Sequence, residues 1–258
     1  MTLSSTAPPG VRRPLVSSSP SKLRAIYCSP CSRIESWADE SPHVDFAIQV
    51  VPARRVGEDR AEVFPLSGGD LIVLADGAGG TSGGAAAAEA VLAAALAFVP
   101  NSALDCVRFL QRVDQKLTTI GQCTAVVVVL TDGEVLGASV GDSSAWLVGP
   151  ADVTDLTQHQ KTKPLLGSGI AVPVGFGPFP LVGRVLLGSD GLFKYVSHDR
   201  IAALARSLPF ADTATSLVDA ARLRSGALQD DIAVVVAGQQ GVAADGLVGR
   251  CAPSGARC

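Results

Sequence analysis

The stretch that decides the fold is Leu74–Gly84, LADGAGGTSGG. An apolar run, LIVLA at 71–75, ends in Asp76, and five glycines follow within residues 77–84. An alanine-rich segment begins directly afterwards. Glycine permits positive φ and lets the backbone approach another group closely. Gly77-Ala78-Gly79 has the G-x-G context of a dinucleotide loop. However, a third glycine would fall at Ser82, and Asp76 would repel a pyrophosphate. No Lys-Ser or Lys-Thr follows, so the loop is not a P-loop. A sharp strand-to-helix turn with an incidental aspartate is the plainer alternative.

The loop is not alone. VLGASVGD ends in Asp142 and RVLLGSD ends in Asp190, while Asp230 and Asp231 open the run IAVVVA. Glu58 and Asp59 sit side by side in RRVGEDRAEVF. Any one of these acids reads as a strand-end cap. Together they form a set of carboxylates at the edges of apolar strands, and clustered carboxylates need cations to offset their repulsion. Carboxylate and carbonyl oxygens suit Mg²⁺, Mn²⁺ or Ca²⁺, whereas zinc recruits His or Cys. The chain has three histidines, none of them beside these aspartates. The loop is therefore expected to approach a metal, with Asp76 supplying charge and Gly77 its carbonyl.

Bulk properties narrow the class. The 258 residues suffice for one large domain or two small ones. At 47% hydrophobic and 5% aromatic, the core must be built from Val, Leu, Ile and Ala. A formal net charge of -3 gives no basic face for nucleic acid. The longest apolar segment, Ala85–Val99, is interrupted by Glu89 and is short for a bilayer. A soluble, cytoplasmic protein with no membrane partner is expected. Residues 1–43 read as a basic, Ser- and Pro-rich disordered tail, with a transit peptide as the lesser reading. Residues 241–258 read as a flexible tail, leaving 44–240 as the domain. Cys28 and Cys31 form a C-x-x-C without a second pair, so reduced thiols are expected.

Apolar and β-branched runs predict strands at 46–52, 61–65, 71–75, 125–130, 134–140, 144–148, 185–188 and 232–237. Asp132-Gly133 carries a hairpin signal between two of them. Helices are predicted at 84–98, at 103–117 after an N-cap at Ser102, at 201–207 and at 211–224. Strands cluster instead of alternating with helices, which favours α+β with antiparallel sheets.

In this order the motifs resemble the metal-dependent serine/threonine protein phosphatases of the PP2C (PPM) family. The matching pieces are RRVGED (54–59), LADGAGG (74–80), ASVGDSSAWLV (138–148), LLGSDGLF (186–193) and DDIAVVV (230–236). With them CTAVVVVL and DLTQHQ…PLLGSG fill much of residues 45–238. The resemblance implies a sandwich of two antiparallel β-sheets flanked by α-helices, with a reduced flap between Asp142 and Asp190. It implies two Mn²⁺ or Mg²⁺ ions, with a third, weaker one. Asp76 would bridge the two ions, the Gly77 carbonyl would bind the second, and Asp190 and Asp230 would complete the first. Glu58 and Asp59 would hold metal-bound waters, and Asp142 would serve the third ion. Arg54 would grip the substrate phosphate, with Arg55 its rival by one register slip. The implied reaction is hydrolysis of phosphoprotein monoesters by a water or hydroxide bridging the two ions. The implied partners are phosphoproteins of a Ser/Thr kinase, met by a monomer.

The sequence departs from the family pattern at Gly57, Ala78, Ser144 and Ala233. Ala78 stands where animal-type members carry a histidine proposed as general acid, so water would protonate the leaving group. His159 is expected at the surface and Trp146 in the core. Two other readings stay open: a pseudophosphatase acting as a binding module, and a metallohydrolase of a small phosphate ester.

Overall fold

The computed structural model describes residues 44–78, 83–131 and 133–239. The two proposed tails, Cys28, Cys31 and Asp132 lie outside them. Ten strands form two five-stranded antiparallel sheets. The first has the order β1 (Val44–Val51), β10 (Ile232–Gln239), β9 (Arg184–Gly188), β6 (Ser144–Val148), β7 (Val153–Asp155). The second has the order β2 (Arg60–Leu66), β3 (Gly69–Ala75), β4 (Ala125–Thr131), β5 (Glu134–Val140), β8 (Val174–Pro180). Helices α1 (Gly84–Ala95) and α2 (Ala103–Leu117) cover the second sheet. Helices α3 (Asp190–Phe193), α4 (His198–Ser207) and α5 (Phe210–Ala220) cover the first.

This layering explains why the central strands are apolar throughout. In β4, Val126, Val128 and Leu130 face the other sheet, while Ala125, Val127 and Val129 face α1 and α2. In β10, Ala233, Val235 and Ala237 face the other sheet, while Ile232, Val234 and Val236 face the helices. A strand buried on both faces has no polar side to alternate with. Alanine suits α1 for two reasons: it has the highest helix propensity, and its small side chain lets the helix lie close on the sheet through Ala87, Ala88, Val91 and Ala95. At α2 the predicted cap is present, with Ser102 Oγ accepting from the Asp105 N–H at 3.2 Å.

Eight predicted strands and four predicted helices are present, with shifted ends. Helix α1 stops at Ala95 instead of Phe98, and α5 runs 210–220 instead of 211–224. Three elements escape sequence patterning. Strand β8, VGFGPFP, carries two prolines, which an edge strand tolerates because it leaves one row of N–H groups unpaired. Strand β7 has three residues and α3 has four, too short to show a period. No helix lies between β7 and β8, in line with a reduced flap. Among the described residues no helix is long and apolar enough to cross a membrane. Trp146 is buried at 4% exposure, and His159 is exposed, as expected.

The inter-sheet layer carries the fold. Leu187→Ala removes a fully buried side chain from it and is expected to cost about 3 kcal/mol of unfolding free energy. Urea titration should show the midpoint fall with the slope preserved.

Candidate active site

Strand register puts the acids at one rim. Ala75, before Asp76, pairs with Arg60, which follows Glu58 and Asp59. Val140, before Asp142, pairs with Ala125 on the next strand. In the other sheet Gly188, before Asp190, pairs with Val234, near the β10 start that follows Asp230 and Asp231. The chain passes from one sheet to the other three times at this rim, through 52–59, 141–143 and 156–173. The first two crossings carry acids.

The rim encloses a cavity of about 570 Å³. Every residue assigned a site role from the sequence lines it: Arg54, Glu58, Asp59, Asp76, Gly77, Asp142, Asp190 and Asp230. Arg55 does not. It lines a separate hollow of about 240 Å³ with Val50, Pro52 and Gly57. The two arginines thus line different cavities, Arg54 the acidic one and Arg55 its neighbour.

The glycine loop continues the sheet pairing past the ends of β3 and β4. Thr124 N–H donates to the Asp76 carbonyl at 2.8 Å, and Ala78 N–H donates to the Gln122 carbonyl at 2.9 Å. Thr124 Oγ1 accepts from Asp76 N–H at 3.3 Å and lies 2.7 Å from Ser143 Oγ, beside Asp142. A Cβ on Gly77 would come within 2.7 Å of Glu58 Cβ and 2.6 Å of the Gly84 backbone. That position therefore requires glycine for close approach, and the partner is this chain's own acidic segment as well as any ion.

Crowding and burial raise the carboxyls of this cavity. Burial pushes Asp76 up to about 9, and the neighbouring charges of Asp59, Asp190 and Asp142 add to it. Burial likewise pushes Asp59 up to about 6, against the opposing pull of the Ser189 hydroxyl. Asp190 is raised by burial and by Asp230 and Asp142. Asp59 Oδ2 is buried without a hydrogen-bond partner. Such an atom is costly unless a proton or a cation meets it. The cavity lining offers carboxylate and carbonyl oxygens and no His or Cys, a hard-cation donor set. Among the described residues no three His, Cys, Asp or Glu side chains are gathered closely enough to hold an ion as a ready-made cage. Hard cations such as Mg²⁺ keep several waters and take one or two carboxylates each, so the residues present fit Mn²⁺ or Mg²⁺ held largely through water.

The model of the stage II sporulation protein E (SpoIIE) family matches residues 67–240. The chain belongs to the SpoIIE family. The matched part of this SpoIIE chain holds Asp76, Asp142, Asp190 and Asp230, while Arg54, Glu58 and Asp59 precede it. No curated protein sequence matches the chain. Solved structures share its fold. The catalytic domain of the serine/threonine protein phosphatase PstP, in complex with two manganese ions, is 21% identical with a TM-score of 0.64, over 76% of this chain and 98% of that one. Stp1 from Staphylococcus aureus is 20% identical with a TM-score of 0.65, over 78% and 96%. The S. agalactiae serine/threonine phosphatase is 20% identical with a TM-score of 0.65, over 77% and 100%. The fold expected from the motifs is therefore the fold observed, and protein serine/threonine phosphatase is the enzyme class of its solved neighbours.

Three participants at the site were not legible as such. Asp231, read only as the opening of a strand, accepts from Ala53 N–H at 2.8 Å and Glu58 N–H at 2.7 Å. Arg60 donates to the Gly57 and Asp59 carbonyls. Asp114 is buried and accepts from Gly167, Gly169 and Ala171 N–H groups, anchoring the segment after Leu165, a cavity residue. Asp114 did leave a signal: it falls four residues after Leu110 and three before Leu117, on the buried stripe of α2.

The raised acids predict a pH trend for the metal-free protein. In the unfolded chain aspartates ionise near pH 4, roughly the ordinary value. Above that pH the native state holds protons the unfolded chain has lost, so stability falls as pH rises towards the folded values of about 6 and about 9. In EDTA, the melting temperature should decline across this window, and less steeply in Asp76→Asn. Added Mn²⁺ should reverse the decline. A parent whose melting temperature rises with pH in EDTA would contradict the crowding argument.

Proposed function

We propose that this chain is a metal-dependent serine/threonine phosphoprotein phosphatase. The observation that carries the reading is one cavity, at one rim of the sandwich, that gathers carboxylates from both sheets and faces Arg54. Asp76, Asp190 and Asp230 would hold two Mn²⁺ or Mg²⁺ ions with the Gly77 carbonyl. Glu58 and Asp59 would act through water, and Asp142 would serve a third, weaker ion. When bound, such ions offset the charge of a phosphate dianion and lower the pKa of water.

The chain's own groups do the rest. Arg54 would grip the phosphate oxygens through its planar fork. Among the described residues its guanidinium is the one cationic side chain lining an otherwise acidic cavity. Water adds to phosphorus, the ester bond breaks, and the seryl or threonyl oxygen leaves with a proton. Ala78 can supply no proton, and among the described residues no histidine lines the cavity, so water would deliver it. Substrates would be phosphoproteins made by a Ser/Thr kinase, acted on by a soluble, cytoplasmic monomer.

Hydrolysis of a phosphothreonine peptide should require Mn²⁺ or Mg²⁺ and stop in EDTA. Asp190→Ala is expected to lower kcat/KM by about 100-fold or more, because metal assistance is worth several kcal/mol. A folded, metal-loaded parent that does not turn over would sink the enzyme reading. Turnover of small phosphate esters with none of phosphopeptides would sink the protein-substrate reading alone.

A further inference from the structure

Among the described residues, the 52–59 segment is the only wall of the cavity that carries a cationic side chain. It is an irregular crossing between sheets, so no ladder of hydrogen bonds fixes it. Two side chains replace that ladder. The Asp231 carboxylate accepts Ala53 N–H on Oδ1 and Glu58 N–H on Oδ2, at 2.8 and 2.7 Å. It thereby ties together residues on either side of Arg54. From the other side, Arg60 donates to the carbonyls of Gly57 and Asp59 at 2.9 and 2.8 Å, and its second nitrogen meets Glu89 at 2.7 Å. Gly57 allows the tight fold: a Cβ there would lie 2.9 Å from Pro52 Cβ and 3.2 Å from Asp231 Oδ2.

From this geometry we infer that Asp231 is a positioning residue for Arg54. Its carboxylate closes the 53–58 loop so that Arg54 faces the acidic cavity and Arg55 the neighbouring hollow. The inference rests on Arg54 being the phosphate-gripping residue. Chemistry favours a carboxylate over an amide at this place. The loop presents two N–H donors, and a carboxylate offers an acceptor oxygen to each, whereas an asparagine would turn its own N–H₂ against one of them. The charge is retained although it adds to the repulsion on Asp59. Asp230, one residue earlier, lines the same cavity among the other acids.

The test is a double-mutant cycle in the Mn²⁺-loaded enzyme: parent, Asp231→Asn, Arg54→Ala and the double variant. Phosphopeptide kinetics are read alongside competitive inhibition by inorganic phosphate and calorimetric Mn²⁺ affinity. Asp231→Asn is expected to raise KM and the phosphate inhibition constant about tenfold, with kcat changed far less, as loss of ground-state phosphate binding requires. In the Arg54→Ala background the same change should have no further effect, because residues acting through one another are not additive. Mn²⁺ affinity should stay at the parent value. Additive losses would overturn the positioning role, and so would a fall in Mn²⁺ affinity, which would make Asp231 a metal-holding residue. An unchanged KM in Arg54→Ala would instead refute the Arg54 reading and the inference with it. If the parent does not turn over, the phosphatase reading fails separately, and calorimetric binding of inorganic phosphate by the same four proteins decides the cycle. Should Asp231→Asn melt near the assay temperature, Arg60→Ala removes the opposite clamp and is expected to shift KM in the same direction. No shift from it would also count against the clamp.

Discussion

Repulsion among carboxylates at one rim is the constraint on which the rest of the structure depends. Asp59, Asp76, Asp142, Asp190 and Asp230 each raise or feel a neighbour's ionisation, and burial strengthens the effect. A flexible chain would relieve this by moving apart. Here each acid follows or precedes a strand whose side chains are locked between sheet and sheet or sheet and helix. The apolar core therefore sets the spacing of the charges. Its burial must exceed the electrostatic cost of the metal-free state, and a cation relieves that cost by mass action. Fold and site are coupled in this sense, through energy and not merely through proximity.

The same dependence decides what a reader of the sequence can see. Runs such as AVVVVL and IAVVVA announce strands because both faces are buried, and the acid at each end is visible because it breaks an apolar run. Their placement at a common rim follows from antiparallel register alone. What the sequence conceals is set by irregular backbone. Residues 52–59 lack period, so Arg54 and Arg55 are equivalent in one dimension and differ only once the segment crosses between sheets. Strand β8 is concealed by its glycines and prolines, which an edge position permits. The ladder that extends β3 and β4 through Asp76–Ala78 runs through glycine and cysteine, residues that carry no strand signal there. Cys123 sits in that ladder, bridged to Gly77 on one side and Leu166 on the other, and burial keeps its thiol protonated by pushing it up to about 12.

The family match and the cavity divide the site unequally. The SpoIIE match begins at residue 67, after Arg54, Glu58 and Asp59. Glu58 and Asp59 reach the cavity because β2 pairs with β3 along its whole length, from Arg60 with Ala75 to Leu66 with Gly69, and the Asp231 carboxylate holds the chain on either side of Arg54. A wall that the SpoIIE match does not reach is thus placed by backbone pairing and a side-chain clamp.

Hydrogen-bond saturation separates two kinds of acid in this molecule. Both oxygens of Asp231 and both oxygens of Asp114 accept backbone N–H groups. A carboxylate so satisfied has its charge spent on local donors and acts as an anchor for irregular chain. Asp59 Oδ2 has no partner, and Asp76 is pushed far from its ordinary range. Such a carboxyl holds its proton in the metal-free protein and would give it up to a cation. The anchors hold the cavity-lining segment at 53–58 and the segment that follows the cavity residue Leu165, and Asp59 and Asp76 line the cavity. One residue type therefore serves both roles, and the donors around each aspartate, not its identity or exposure, determine which role it takes.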